Sequence, residues 1–182
     1  MVNNKSEEIF PIVDEVGNTI GKATRKECHS GSMLLHPVVH LHIFDSQGKL
    51  FLQKRSDSKD IQPGLWDSSV GGHIDFGETP EIAVVREARE EINLRNFNPV
   101  CITKHIIVNH IERELTYCFY TITDNEISID HDEVSDGRFW TIEEIAEHIG
   151  TEIFTMNFEL DFNLFLSQGL DKLKNKIENG TI

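Results

Sequence analysis

Arg86, Glu87, Glu90 and Glu91 stand close together, and at i, i+3 and i+4 the three carboxylates share one face if the stretch is helical. Neighbouring like charges at this spacing cost a helix roughly 0.2–0.5 kcal/mol per pair, so a cation resting on them removes the repulsion and turns the cluster into a site. Several carboxylate oxygens without sulfur suit a hard divalent ion, magnesium or manganese. Such an ion neutralises phosphate oxygens and lowers the pKa of a bound water, whose proton a nearby carboxylate can take. Upstream, Gly71-Gly72 and Phe76-Gly77-Glu78 form a loop that can bring backbone carbonyls close to the same ion. Three glutamates alone more commonly mark a solvated helix face, so the surrounding positions must decide.

The element that would carry them is well punctuated. Thr79 is a good N-cap, Pro80 suits the first helical position, and Ile82, Val85, Ala88 and Ile92 form an apolar stripe by three- and four-residue steps. Asn93 stands where the chain should leave the helix, and Asn tolerates the left-handed conformation used there. Before it, a small hairpin is expected over residues 9–22, then a buried strand from Val38 to Phe44, the turn Asp45-Ser46-Gln47-Gly48 and a strand from Lys49 to Gln53. Residues 56–65 read as a polar loop with Pro63-Gly64. After it come strands near Cys101 to Val108 and Leu115 to Thr121, and a short helix from Ile142 to Ile149. An amphipathic helix over 157–177 follows, with Leu160, Leu164, Leu170 and Leu173 inward and Gly169 as an interruption. The mixture predicts an α/β sandwich with a mixed sheet, as one domain over residues 1–182.

A net charge of −14 repels a polyanion and argues against a nucleic acid polymer, although metal ions can reverse the field locally for a small phosphorylated molecule. Cys28, Cys101 and Cys118 make no disulfide framework and no Cys-x-x-Cys pair. The N-terminal residues have no signal-peptide core and no apolar run is long enough to span a bilayer, so the expected setting is cytoplasmic and away from membranes.

Gly72, five residues, Glu78, seven residues, then Arg86-Glu87-Ala88-Arg89-Glu90-Glu91-Ile92-Asn93-Leu94 resembles the Nudix box over 72–94, with Asn93 in place of its last glycine. The resemblance implies a Nudix-type α/β/α sandwich and a metal-dependent hydrolase of a diphosphate linkage in a small molecule, such as a nucleoside diphosphate derivative. Carried over position by position, it implies that Glu90 and Glu91 hold Mg2+ or Mn2+ with the carbonyl of Gly71, that Glu87 ligates or acts as base, and that Arg86 orients the glutamates.

From about residue 25 to 165 the chain is similar to the isopentenyl diphosphate isomerase-like branch of that superfamily. His29, His36 and His73 match the branch's histidine ligands, and Glu112 and Glu114 match its glutamate pair, which implies a second metal site suited to zinc or manganese. Arg55, Lys59 and the stretch ending in Trp66 match the diphosphate-contacting region. Glu133 could add a further carboxylate, and Phe76 could stack in the pocket. The isomerase places a catalytic cysteine where this chain has Gly71, and none of Cys28, Cys101 and Cys118 matches that position, so hydrolysis is the expected reaction. An isomerase using another acid and a non-catalytic diphosphate-binding or regulatory domain are the alternatives. The resemblance also allows a homodimer.

Overall fold

The computed structural model describes residues 7–57, 61–131 and 134–180. Strands β1 (Ile9–Val13) and β2 (Thr19–Thr24) form the expected antiparallel hairpin. A one-turn helix α1 (Arg25–Cys28), which the sequence reading did not anticipate, follows with a capping box between Thr24 and Glu27.

The main sheet is mixed. Its central strand β3 (Leu35–Phe44) is buried at every position and runs parallel to β8 (Arg113–Ile122). The other side of β3 is shared between two antiparallel partners. Its end pairs with β4 (Leu50–Arg55), and its middle pairs with β6 (Val70–His73), which places Gly72 opposite Val39 and Gly71 opposite His40. The short strand β5 (Trp66–Asp67) pairs with β4. On the outer side, β7 (Val100–Val108) pairs with β8. β9 (Val134–Trp140) pairs with β4 and was not foreseen, because Ser135, Asp136 and Arg138 give it a polar sequence.

Helix α2 (Pro80–Ile92) covers one face of the sheet, packing Ala83, Val84, Ala88 and Ile92 on Val39, Leu41, Ile43 and Phe119. Both predicted caps are present: Thr79 accepts from the Ile82 N–H, and Asn93 is left-handed at φ 50°. The predicted stripe is corrected, since Ile82 and Val85 are 58% and 44% exposed. The inward face of α2 carries small residues along its length and carboxylates at one edge, so those two apolar residues turn outward.

The opposite face is covered by α3 (Ile142–His148), α4 (Met156–Asp161), a π-helical turn (Phe162–Leu166) and α5 (Leu170–Glu178). This replaces the single helix expected over 157–177. Phe158 and, within the π turn with its shifted phase, Phe162, Phe165 and Leu166 fill the core beside Leu170 and Leu173, which point inward as expected, whereas Leu164 is exposed and Leu160 only half-buried. Gly169, at φ 79°, makes the break before α5. The result is the anticipated α/β/α arrangement. Among the described residues no helix is long and apolar enough to cross a membrane.

Candidate active site

A cleft of about 730 Å³ opens where β6, the inner edge of α2 and the first turns of α1 and β8 meet. Glu87, Glu90, Glu91 and Arg86 line it together with Gly71, Gly72, His29, His73, Glu112, Glu114 and Arg55.

Arg86 is the hub of the glutamate edge. Its guanidinium grips both Glu78 oxygens, at 3.0 and 2.8 Å, reaches Glu87 at 2.7 Å and Glu90 at 3.3 Å, and donates to the His73 carbonyl at 2.9 Å. That fork suits a planar guanidinium and would be lost with lysine. The Glu91 carboxylate is buried and accepts from Gln53 Nε2 at 2.9 Å and from the Gly71 N–H at 3.2 Å. A side chain at Gly72 would overlap the carboxyl of Glu87, so this close approach of β6 to α2 requires glycine. At Gly71 a Cβ would rest 3.7 Å from His40 Cδ2, an ordinary contact.

Burial, followed by the charge of Glu91, pushes the Glu87 carboxyl up to about 8 despite Arg86 beside it. Burial and the neighbouring Glu112 lift Glu114 to about 7. At these two groups the folded chain binds protons that the unfolded chain has already released, so their contribution to stability is lost as pH rises towards those values. Melting temperature of the chelator-treated protein should therefore fall by several degrees between about pH 5 and about pH 8, and less in Glu87→Gln. A melt that is flat over this range, or an unchanged slope in Glu87→Gln, would contradict this account.

The expected histidine cluster also assembles. His29 and His73 face each other at 3.0 Å through Nε2, and His29 Nε2 lies 3.3 Å from Glu112. His36 uses Nδ1 on the Leu34 carbonyl at 3.0 Å, leaving a buried Nε2 without a hydrogen-bond partner, and the buried Glu112 Oε2 has only the His29 contact. The ligand atoms of His29, His36 and His73 lie within 4.8 Å of one another, as do those of His36, Glu112 and Glu114. Three imidazoles and two carboxylates around unpaired buried atoms fit a zinc- or manganese-class ion.

The expected substrate-contacting residues fare unevenly. Arg55 lines the cleft, with one arm on Asp67 at 3.0 Å and two nitrogens on the Ile61 carbonyl. Trp66 does not line it. Its ring packs edge-on against Trp140 at 5.2 Å, a core contact that outweighs the expected pocket role. Phe76 is exposed, with the Lys22 ammonium over its ring, and is likewise absent from the lining. Lys59 and Glu133 lie outside the described residues.

Sequence reasoning missed several contributors. Phe10 stacks on His73 at 4.2 Å, Arg25 donates to His73 Nδ1 at 3.3 Å, and Asn157 donates to Glu114 at 3.0 Å. Gln53 fixes Glu91, and its place at the end of a predicted strand was its only signal. The others come from distant segments that local pattern cannot bring together.

Known proteins share both sequence and fold with this chain. The chain is 31% identical over 159 residues to the isopentenyl-diphosphate Delta-isomerase of Streptomyces avermitilis, covering 82% of this chain and 79% of that one. It is 44% identical over 87 residues to an uncharacterized Nudix hydrolase of Nostoc sp., covering 48% and 52%. Among solved structures, DR0079 from Deinococcus radiodurans matches with a TM-score of 0.70 at 26% identity, covering 79% of this chain and 90% of that chain. The family model of the NUDIX domain matches residues 34–157. That span begins just before β3, takes in both the glycine strand and the glutamate helix, and makes this chain a member of the Nudix family.

Proposed function

We propose that the chain is a divalent-metal-dependent hydrolase that cleaves a diphosphate linkage in a small molecule, either a nucleoside diphosphate derivative or a related organic diphosphate. The observation that carries this reading is the glutamate edge of α2, closed over Gly71 and Gly72 and tied by Arg86, with carboxylates that repel one another until a cation joins them. Oxygen donors of this kind fit magnesium or manganese. When bound, such an ion neutralises diphosphate oxygens and activates water.

Glu90 and Glu91, with the Gly71 carbonyl, are the residues to hold it, and the hydrogen bonds from Gln53 and the Gly71 N–H keep Glu91 aimed. Glu87 joins them as a ligand or takes the proton of the attacking water, since its carboxyl lies on the same edge and is held by Arg86. Arg86 holds the carboxylates in register. Arg25, Arg55 and Lys59 are the cations for the diphosphate, and the cluster of His29, His36, His73, Glu112 and Glu114 supports a second ion.

The second reading is isoprenoid diphosphate isomerisation. It is favoured by the assembled histidine cluster and by the names of the relatives, and opposed by glycine at position 71. Release of phosphate or nucleotide from a panel of nucleoside diphosphate derivatives, with magnesium and then manganese, beside isopentenyl diphosphate, separates the two. Metal-dependent cleavage of a panel member, lost in Glu91→Gln, is the expected result. Conversion of isopentenyl diphosphate to its isomer, with no cleavage anywhere, would replace the first reading by the second.

A further inference from the structure

His40, His42 and His105 match nothing in the family pattern, yet they converge on one carboxylate. In the parallel pairing of β3 and β8, His40 lies opposite Cys118. Side chains alternate along strands, so His40 and His42 share the face of Cys118, which packs towards the C-terminal helices. Asp161, fully buried at the end of α4, meets them there. Its oxygens lie 2.7 Å from His40 Nδ1, 3.3 Å from His42 Nε2, 3.1 Å from His105 Nε2 and 3.8 Å from Cys118 Sγ.

Two observations separate this cluster from an ordinary buried ion pair. His40 alone suffices to partner Asp161, yet His42 Nε2 and His105 Nε2 crowd the same carboxylate at 3.3 and 3.1 Å without hydrogen-bond geometry, and Nδ1 of the fully buried His42 has no hydrogen-bond partner. Three imidazoles thus gather round a carboxylate that one of them would satisfy, which is costly for a buried site unless a cation joins them. The donor types form the second observation. Imidazole, thiol and carboxylate together are the ligands of zinc, whose bonds of ~2.0–2.3 Å set tetrahedral ligand atoms roughly 3.3–3.8 Å apart. The ligand atoms of His40, Cys118 and Asp161 already lie within 4.8 Å of one another.

We propose that Asp161, Cys118 and His40, completed by His42 or His105, form a buried zinc-class metal site distinct from the glutamate edge and from the His29, His36 and His73 cluster. It binds α4 to the two central strands directly behind the cleft wall. The role is structural, because only His40 of this set lines the cleft.

Cobalt(II) titration of the chelator-stripped full chain tests the site through the near-ultraviolet thiolate-to-cobalt charge-transfer band, which requires a sulfur ligand. The band should appear in the natural sequence, persist in the Cys28→Ser/Cys101→Ser double variant and in His36→Ala, and vanish in Cys118→Ser. Should Cys118→Ser fail to fold, X-ray absorption of the zinc-loaded Cys28→Ser/Cys101→Ser chain decides, with one sulfur at about 2.3 Å expected. Absence of the band from the natural sequence, its survival in Cys118→Ser, or a shell of nitrogen and oxygen alone overturns the proposal.

Discussion

Glu91→Gln is expected to lower kcat/KM for the diphosphate substrate on the order of 10³-fold or more, since it removes a ligand charge at nearly constant volume. The fold should survive, because the new amide oxygen can still accept from Gln53 and from the Gly71 N–H. The metal-free variant should also be more stable than the parent near neutral pH. Glu91 is the largest charged contributor to the raised pKa of Glu87, and without it the two carboxyls no longer repel. Loss of turnover combined with a higher melting temperature in chelator is thus the signature of a charge cluster built for a cation. A variant that is fully active would remove the metal role of Glu91. One that is inactive because it is unfolded would show that the carboxylate serves the core.

Gly72→Ala should be comparably damaging by another route. The added methyl meets the Glu87 side chain, which Arg86 holds in place, so β6 and α2 must separate or the carboxylate must swing away. Overpacking of this kind costs about 1–3 kcal/mol. Displacing Glu87 by the resulting ångström should lower kcat on the order of 10²-fold. Its neighbour provides the control for stability. Gly71→Ala adds a methyl that finds only an ordinary contact with His40, and it should cost less than about 1 kcal/mol. Paired thermal melts and rates decide the matter; equal melting temperatures for the two variants would show that β6 is free to shift.

What the sequence conveyed and what it hid follow from locality. The caps of α2, the residues of the glutamate edge and the hairpin at the N-terminus are specified by neighbours a few positions apart, and all were legible. The inward face of α2 was not, because the rule that apolar residues point inside breaks down where a helix turns carboxylates to the sheet. Val84, Ala88 and Ile92 lie on the same side as Glu87 and Glu91, leaving Ile82 and Val85 to solvent. Leu164 was misplaced for a different reason, since it sits in a π turn after Asp161 that moves its residues round the axis, while Leu170 and Leu173 point inward as expected. β5 and β6 are too short for alternation to register, and β9 reads as loop because its neighbours on the sheet, not its own residues, make it a strand. In the cleft, the motif residues that line it were named from local pattern, whereas their partners Gln53, Arg25, Asn157 and Phe10 came together only through tertiary folding.

The free space beside Gly71 has a consequence for descent. A glycine codon becomes a cysteine codon by a single base change, GGU to UGU, and a Cβ at this position finds only an ordinary contact with His40. A change between glycine and cysteine at position 71 therefore places its Cβ without a backbone shift. Position 72, one residue along the same strand, permits no such traffic, because any side chain there meets Glu87. Two adjacent glycines thus differ in what they tolerate: one position accepts a Cβ and the other does not.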